Sequence, residues 1–311
     1  MKKLVLLFIF IFNSILFAQD FPVISGDYLG QTPPGDTPVV FARGIISDIY
    51  QQHGAPSFTP DGNQVFWQTN RRPKDENGEW LTIPMTMRRV GGVWTQPEKA
   101  LYDQTVFSPD GKRHYYPGND GQGPFYKERQ GDSWSKPVNL NLVARFPELQ
   151  LATFLSFTNN GTLYFVAHSD GLWANIGIYR SEFVNSEYTK PEPLPQSINL
   201  PPYREWTPFI APDESYLIFC STRGLPESDQ GDLFICFRLA DRSWTEPVNM
   251  GAPINTGQLE RFPTVSPDGK YLFFTRDTEG FDEDVYWVST TVIEQIKTKV
   301  KEVLHPEQDN K

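Results

Sequence analysis

Short apolar runs rich in β-branched and aromatic residues recur from about residue 38 to residue 290, with Pro, Gly, Asp and Asn between them. Gln64-Val65-Phe66-Trp67, Thr162-Leu163-Tyr164-Phe165-Val166 and Tyr271-Leu272-Phe273-Phe274-Thr275 are three of them. Their β-branched and aromatic content predicts strands, and each follows a turn of one kind. The turn is Phe58-Thr59-Pro60-Asp61-Gly62, and it returns as Phe107-Ser108-Pro109-Asp110-Gly111, Phe157-Thr158-Asn159-Asn160-Gly161, Ile210-Ala211-Pro212-Asp213-Glu214 and Val265-Ser266-Pro267-Asp268-Gly269. Pro presets φ, Asp or Asn bonds its own backbone, and Gly accepts positive φ, so each copy joins two antiparallel strands. The fourth members lie at 61, 110, 160, 213 and 268, at intervals of 49, 50, 53 and 55.

A second marker follows the first four turns: Trp94-Thr95-Gln96-Pro97, Trp134-Ser135-Lys136-Pro137, Tyr188-Thr189-Lys190-Pro191 and Trp244-Thr245-Glu246-Pro247. Between the markers lies a third strand, as in Asp232 to Phe237 and Asp284 to Val288. Each repeat therefore carries about four strands in roughly 50 residues, the size of a propeller blade. The fifth repeat lacks its second marker. Pro38-Val39-Val40, which lines up with Pro247-Val248-Asn249, is expected to supply the missing strand from the other end of the chain. The fold class expected is all-β: a β-propeller of about five four-stranded blades, its last blade closed by an N-terminal strand. Six blades stay open through a degenerate copy in residues 20–52 or 190–207. Val292, Ile296, Val300 and Val303 have helical spacing, which predicts a short C-terminal helix.

These turns and aromatic strands resemble the WD-like β-propeller repeats of bacterial envelope proteins, including the TolB-like propeller, over residues 38 to 290. The resemblance implies an exported scaffold of a type used for binding. Too few residues precede the first repeat for TolB's separate N-terminal domain, so TolB's partner does not carry over.

Composition agrees with the strand pattern: 27 Pro, 23 Gly and 14% aromatic residues suit many short strands better than long helices. Residues 1–19 read as a signal peptide, with Lys2 and Lys3, an apolar run from Leu4 and small Ala18. Residues 20–36 are then a lead-in, 37–290 the propeller and 291–311 a helix and tail. A periplasmic or secreted location follows, with no transmembrane anchor after cleavage. The formal net charge of −10 disfavours a nucleic-acid or anionic-membrane partner, and no nucleic acid is expected. Cys220 and Cys236, the only cysteines, leave pairing open in an oxidising compartment.

Alignment of the repeats puts His53, Glu205 and Glu260 at one position before the turn, and Asp103, Trp206 and Arg261 at the next. If these begin the inner strands, they gather at the channel mouth. Carboxylates and an imidazole around a pore can hold a ligand, a divalent cation or an acid/base pair. Capping a strand or pairing with a neighbouring Arg is the commoner use of such residues. No cofactor is expected, and a divalent cation in the channel is the one addition these residue types allow. Trp94, Trp134, Tyr188 and Trp244 recur with the repeat and read as packing residues, whereas Trp67, Trp80, Trp173 and Trp206 do not and are better ligand candidates. There is no Gly-x-Ser-x-Gly elbow, Walker loop or His-Glu-x-x-His motif. The expected function is a monomeric, non-enzymatic binding or scaffold protein of the cell envelope that recognises a protein or a cell-wall glycan or peptide. The alternative is a glycan-processing enzyme, hydrolase or lyase, with its site at the propeller channel.

Overall fold

The computed structural model describes residues 21–47, 51–52, 54–71, 81–102, 105–117, 124–168, 175–224, 230–277 and 283–304. It is a five-bladed β-propeller. From the axis outward, blade 1 is built from Ser57–Phe58, Gln64–Arg71, Leu81–Val90 and Glu98–Lys99, with Gln51–Gln52 also pairing the second strand. Blade 2 has Val106–Phe107, Arg113–Tyr116, Phe125–Gln130 and Val138–Asn139. Blade 3 has Thr153–Phe157, Leu163–Ala167, Gly177–Ser181 and Glu192–Pro193, and blade 4 has Glu205–Ile210, Tyr216–Ser221, Asp232–Phe237 and Val248–Asn249. Blade 5 takes Glu260–Val265, Tyr271–Asp277 and Glu283–Ser289 from the end of the chain and Val39–Val40 from its start. The leader expected over 1–19, together with His53, Asp103, Trp80 and Trp173, lies outside the described residues.

The turn repeat has one hydrogen-bond plan. Thr59, Ser108 and Ser266 donate their hydroxyls to the Asp two residues on, at 2.6 to 2.7 Å. The same carboxylates accept the amides of Asn63, Lys112 and Lys270. Gly62, Gly111, Gly161 and Gly269 take the left-handed position that closes the turn. In blade 4 that position belongs to Glu214, with φ 64°. Its carboxylate is held by the Tyr164 hydroxyl at 2.5 Å and by Arg180, Arg238 and Arg242. The second marker has its own plan: Thr95, Ser135, Thr189 and Thr245 accept the amides of Arg88, Glu128, Glu182 and Phe237, in or just after the third strands, at 3.0 to 3.1 Å. The Pro that closes each marker immediately precedes the outermost strand.

Ring closure follows the alignment of Pro38 with Pro247. Val39 pairs Trp287 as Val248 pairs Ile235. Asn199 and Asn255, just after the outer strands of blades 3 and 4, accept the amides of Ile178 and Leu233 at 2.9 Å. In blade 5 the Ser47 hydroxyl does this for Val285, also at 2.9 Å. Behind the closing strand, buried Phe41 sits edge-on to Phe273 and Trp287 at 5.0 and 5.1 Å, and Phe58 of blade 1 completes the seam at 5.6 Å from Phe273. Edge-to-face rings at this spacing add to the area term. Residues 20–36 do more than lead in: Ile24–Ser25 pairs Val93–Trp94 at the rim of blade 1, and Tyr28 packs against Phe58 and Tyr271.

The helix is Thr291–Leu304. Val292 and Ile293 are buried on the blade 4 and blade 5 core, while Val303, part of the predicted stripe, is 78% exposed because the last turn runs past the blades. Among the described residues no helix is long and apolar enough to cross a membrane. Cys220 and Cys236 are buried and unpaired. Register explains this: Cys220 opposes Leu233 and faces the blade 5 side, whereas Cys236 opposes Leu217 and faces blade 3.

Two outcomes check this architecture. Phe41→Ala removes the ring that seals the seam and is expected to lower unfolding free energy by about 3–5 kcal/mol in urea titrations, against a null effect if the N-terminal strand merely lies on the surface. Thiol titration without reductant should find no reactive thiol in the folded protein and two in denaturant; fewer than two would require a disulfide.

Candidate functional site

The innermost strands share a distortion. Pairing with the second strand slips after Thr153, Trp206 and Arg261, and the bulged residues Phe154, Thr207 and Phe262 have φ of 53°, 49° and 53°. In blades 4 and 5 the next residue is Pro208 or Pro263, which has no N–H to give a ladder. A left-handed non-glycine residue costs on the order of 1–3 kcal/mol, so three at one repeat position mark a place where geometry is held by its surroundings. Inter-blade bonds help to hold it: Ser156 Oγ accepts the Ile210 amide at 2.9 Å, and Thr207 Oγ1 accepts the Phe262 amide at 3.2 Å. The bulge turns Phe154 and Phe262, from non-adjacent blades, toward each other across the axis, with centroids 5.6 Å apart.

Around these rings runs an axial channel of about 360 Å³ with walls from all five blades. Rings and prolines dominate the walls, among them Trp67, Tyr102, Phe107, Phe209 and Pro263, interspersed with hydroxyls such as Ser57, Thr153 and Thr264. No described lining residue carries a charge.

Glu205 and Glu260 begin their strands as aligned, but each turns away from the channel into its own blade. Arg223 Nε donates to Glu205 at 3.4 Å and reaches the Ser197 and Ile198 carbonyls. Arg276 Nε donates to Glu260 at 2.8 Å and reaches the Pro253 and Ile254 carbonyls. The two arrangements are one repeated clamp on the loop that enters the inner strand. Burial pushes the Glu205 carboxyl up to about 7, against the pull of Arg223, and raises Glu260 as well. Trp206 is buried in the blade 4 core beneath Arg204. Glu205, Trp206 and Glu260 therefore do not converge on one opening.

Arg261 belongs to a different group. It bonds Glu283, whose side chain is fully buried, and its guanidinium lies 5.1 Å from the Phe262 ring that lines the channel. Glu283 directly opposes Asp277 across the hairpin of blade 5, so the two carboxyls share the face that meets blade 1. Burial raises the Asp277 carboxyl, with Arg261 acting in the opposite sense. Glu260 Oε2, Arg261 Nε, Asp277 Oδ1 and Glu283 Oε2 are buried and have no hydrogen-bond partner among the described residues. Such groups are costly unless a ligand or water completes them. Alignment of inner strands does not reveal Asp277 or Glu283, because they end the second strand and begin the third. Among the described residues no group of three His, Cys, Asp or Glu side chains is placed to hold a metal ion.

No protein-family description matches the chain, and no curated protein does. Solved structures do. A thermostable family-43 glycoside hydrolase matches with a TM-score of 0.46 at 14% identity, over 77% of this chain and 89% of that one. Trypanosoma rangeli sialidase in complex with the inhibitor DANA gives 0.40 at 12%, over 84% and 49%, and puromycin hydrolase 0.42 at 11%, over 84% and 55%. At these identities the likeness speaks for the fold alone. The names of these neighbours are those of glycan-processing or hydrolytic enzymes, which stands against the non-enzymatic binding or scaffold protein expected from the sequence.

The raised Glu205 carboxyl makes stability depend on pH. Below its ordinary value of 4.5 the group contributes fully, and that contribution is lost as pH rises through about 7. Urea midpoints of the wild type should fall between pH 5 and pH 7.5, and Glu205→Gln should flatten that fall; equal slopes would contradict the assignment.

Proposed function

We propose that this protein is a glycan-processing enzyme, a hydrolase with Asp277 as acid/base and Glu283 as nucleophile, beside the axial channel and next to its Phe262 wall, where the inner strands begin. The observation that carries the proposal is the pair itself. Its carboxyls are directly opposed, one is bonded by Arg261 and the other is raised by burial, and each keeps one oxygen without a partner among the described residues. Directly opposed side chains have Cβ atoms about 4.5–5.5 Å apart, within the span over which two carboxyls can act on one bond. Asp277, protonated to higher pH, gives its proton to the glycosidic oxygen as the bond from the anomeric carbon breaks. Glu283, bonded by Arg261, forms the new bond to that carbon as the old one breaks, and in a second step water, giving its proton to Asp277, displaces the Glu283 carboxylate from the glycosyl ester. That second step leaves Asp277 protonated and Glu283 free, their starting states.

The leader-like residues 1–19 support action outside the cytoplasm, periplasmic or secreted, on a glycan of the envelope. The Ser-Pro-Asp-Gly turns support kinship of the repeat with WD-like, TolB-like propellers, with the scaffold turned to catalysis. Fold and reaction are separate matters, since propellers host chemistry through site residues.

Asp277→Asn is the decisive variant, because the side chain has no hydrogen bond to lose among the described residues. Turnover in a panel of 4-nitrophenyl glycosides and oligosaccharides should fall about 10²–10⁴-fold with folding unchanged, and the alkaline limb of the wild-type pH profile should disappear. Undiminished turnover in the variant would end this assignment.

A further inference from the structure

We infer that the axial channel is a saccharide site selective for uncharged sugar rings, with Phe154 and Phe262 as its stacking floor. The inference rests on the glycan-processing reading and names the substrate class.

Three features of the channel point to this chemistry together. Its described walls carry no charged side chain. An anionic sugar would leave its carboxylate unpaired in a site walled by rings and prolines, at a cost that the hydroxyls there do not offset. The walls are also not simply apolar. Each innermost strand has a backbone ladder on its outer side only, and although the Ile210 and Phe262 amides are taken by Ser156 and Thr207, the axis-facing edge carries further backbone groups outside the ladder. An alkyl chain would desolvate those groups without bonding them, whereas sugar hydroxyls bond them. Finally, the bulge at one repeat position presents two aromatic rings edge to face across the axis, and the apolar face of a pyranose or furanose stacks on such a surface. A volume of about 360 Å³ falls at the low end of the ~300–1,000 Å³ of small-molecule sites, which fits one or two rings rather than a long chain inside the channel. Phe262 joins this site to the catalytic pair, since its ring lines the channel on one side and lies against Arg261 on the other.

The test is binding to the full folded chain carrying Asp277→Asn, followed by the fluorescence of Trp67, which lies in the wall, and by calorimetry. Probes are xylotetraose, cellotetraose and mannotetraose against tetragalacturonate, with N-phenyl-1-naphthylamine as an apolar competitor. At least one neutral tetrasaccharide should bind ten-fold or more tightly than tetragalacturonate and should displace the naphthylamine. Phe154→Ala and Phe262→Ala should each weaken it ten-fold or more. Phe209→Ala, at a wall position with ordinary backbone, serves if the bulge variants fail to fold. No neutral saccharide bound, equal binding of the acidic one, naphthylamine that saccharide does not displace, or unchanged affinity in the folded variants would each overturn the inference. Neutral binding without wild-type turnover would leave the inference standing and remove the enzymatic reading. Turnover with unchanged KM in the phenylalanine variants would do the reverse.

Discussion

The two-residue pairing of Val39–Val40 with the last blade is the constraint on which the molecule depends. Five small sheets cannot bury both faces singly, so each blade needs a neighbour on either side. Only blades 1 and 5 lack a neighbour close in sequence, and the N-terminal strand brings them together by giving blade 5 its fourth strand. Phe41, Phe273, Trp287 and Phe58 then fill the seam from both sides. Closure also fixes the function proposed here, because the face of blade 5 that meets blade 1 carries Asp277 and Glu283, and because a closed ring defines the axial channel.

Much of the fold is legible in the chain because the same local hydrogen-bond plan recurs. Thr59, Ser108 and Ser266 bond the Asp that follows, and Thr95, Ser135, Thr189 and Thr245 anchor the third strands, so each short motif has a fixed structural meaning. Pro38-Val39 could be matched to Pro247-Val248 for that reason. The site was less legible. Alignment put Glu205 and Glu260 at strand starts, but not the Arg223 and Arg276 that draw them into the blades. Asp277 and Glu283 meet through hairpin register, a relation between two strands that alignment of inner strands cannot display. The signal in the sequence is the acidic residues that flank the blade 5 hairpin. Nor did composition foretell the bulge that turns Phe154 and Phe262 to the axis, since aromatic residues at a strand start look like any other core residue.

The clamp and the pair show how the same residue types take opposite uses. At Glu205 and Glu260 an arginine spans a carboxylate and two loop carbonyls, which holds the entry to the inner strand. At Glu283 the arginine also draws on a second carboxyl, Asp277, and one atom of each of the three side chains has no partner among the described residues, against Glu260 Oε2 alone at the clamps. Buried groups without partners weaken a fold, and here they lie at the one seam sealed by the closing strand, where local opening would expose them.

Native-state hydrogen exchange measures that seal directly. The Phe41 amide donates to the Val285 carbonyl at 2.7 Å, and if closure is integral to the ring it should exchange only through global unfolding, with the same free energy as the amides of Tyr271–Asp277 in the middle of the blade. Exchange of Phe41 orders of magnitude faster than those amides would mean that the strand opens on its own, and would contradict a propeller that depends on it.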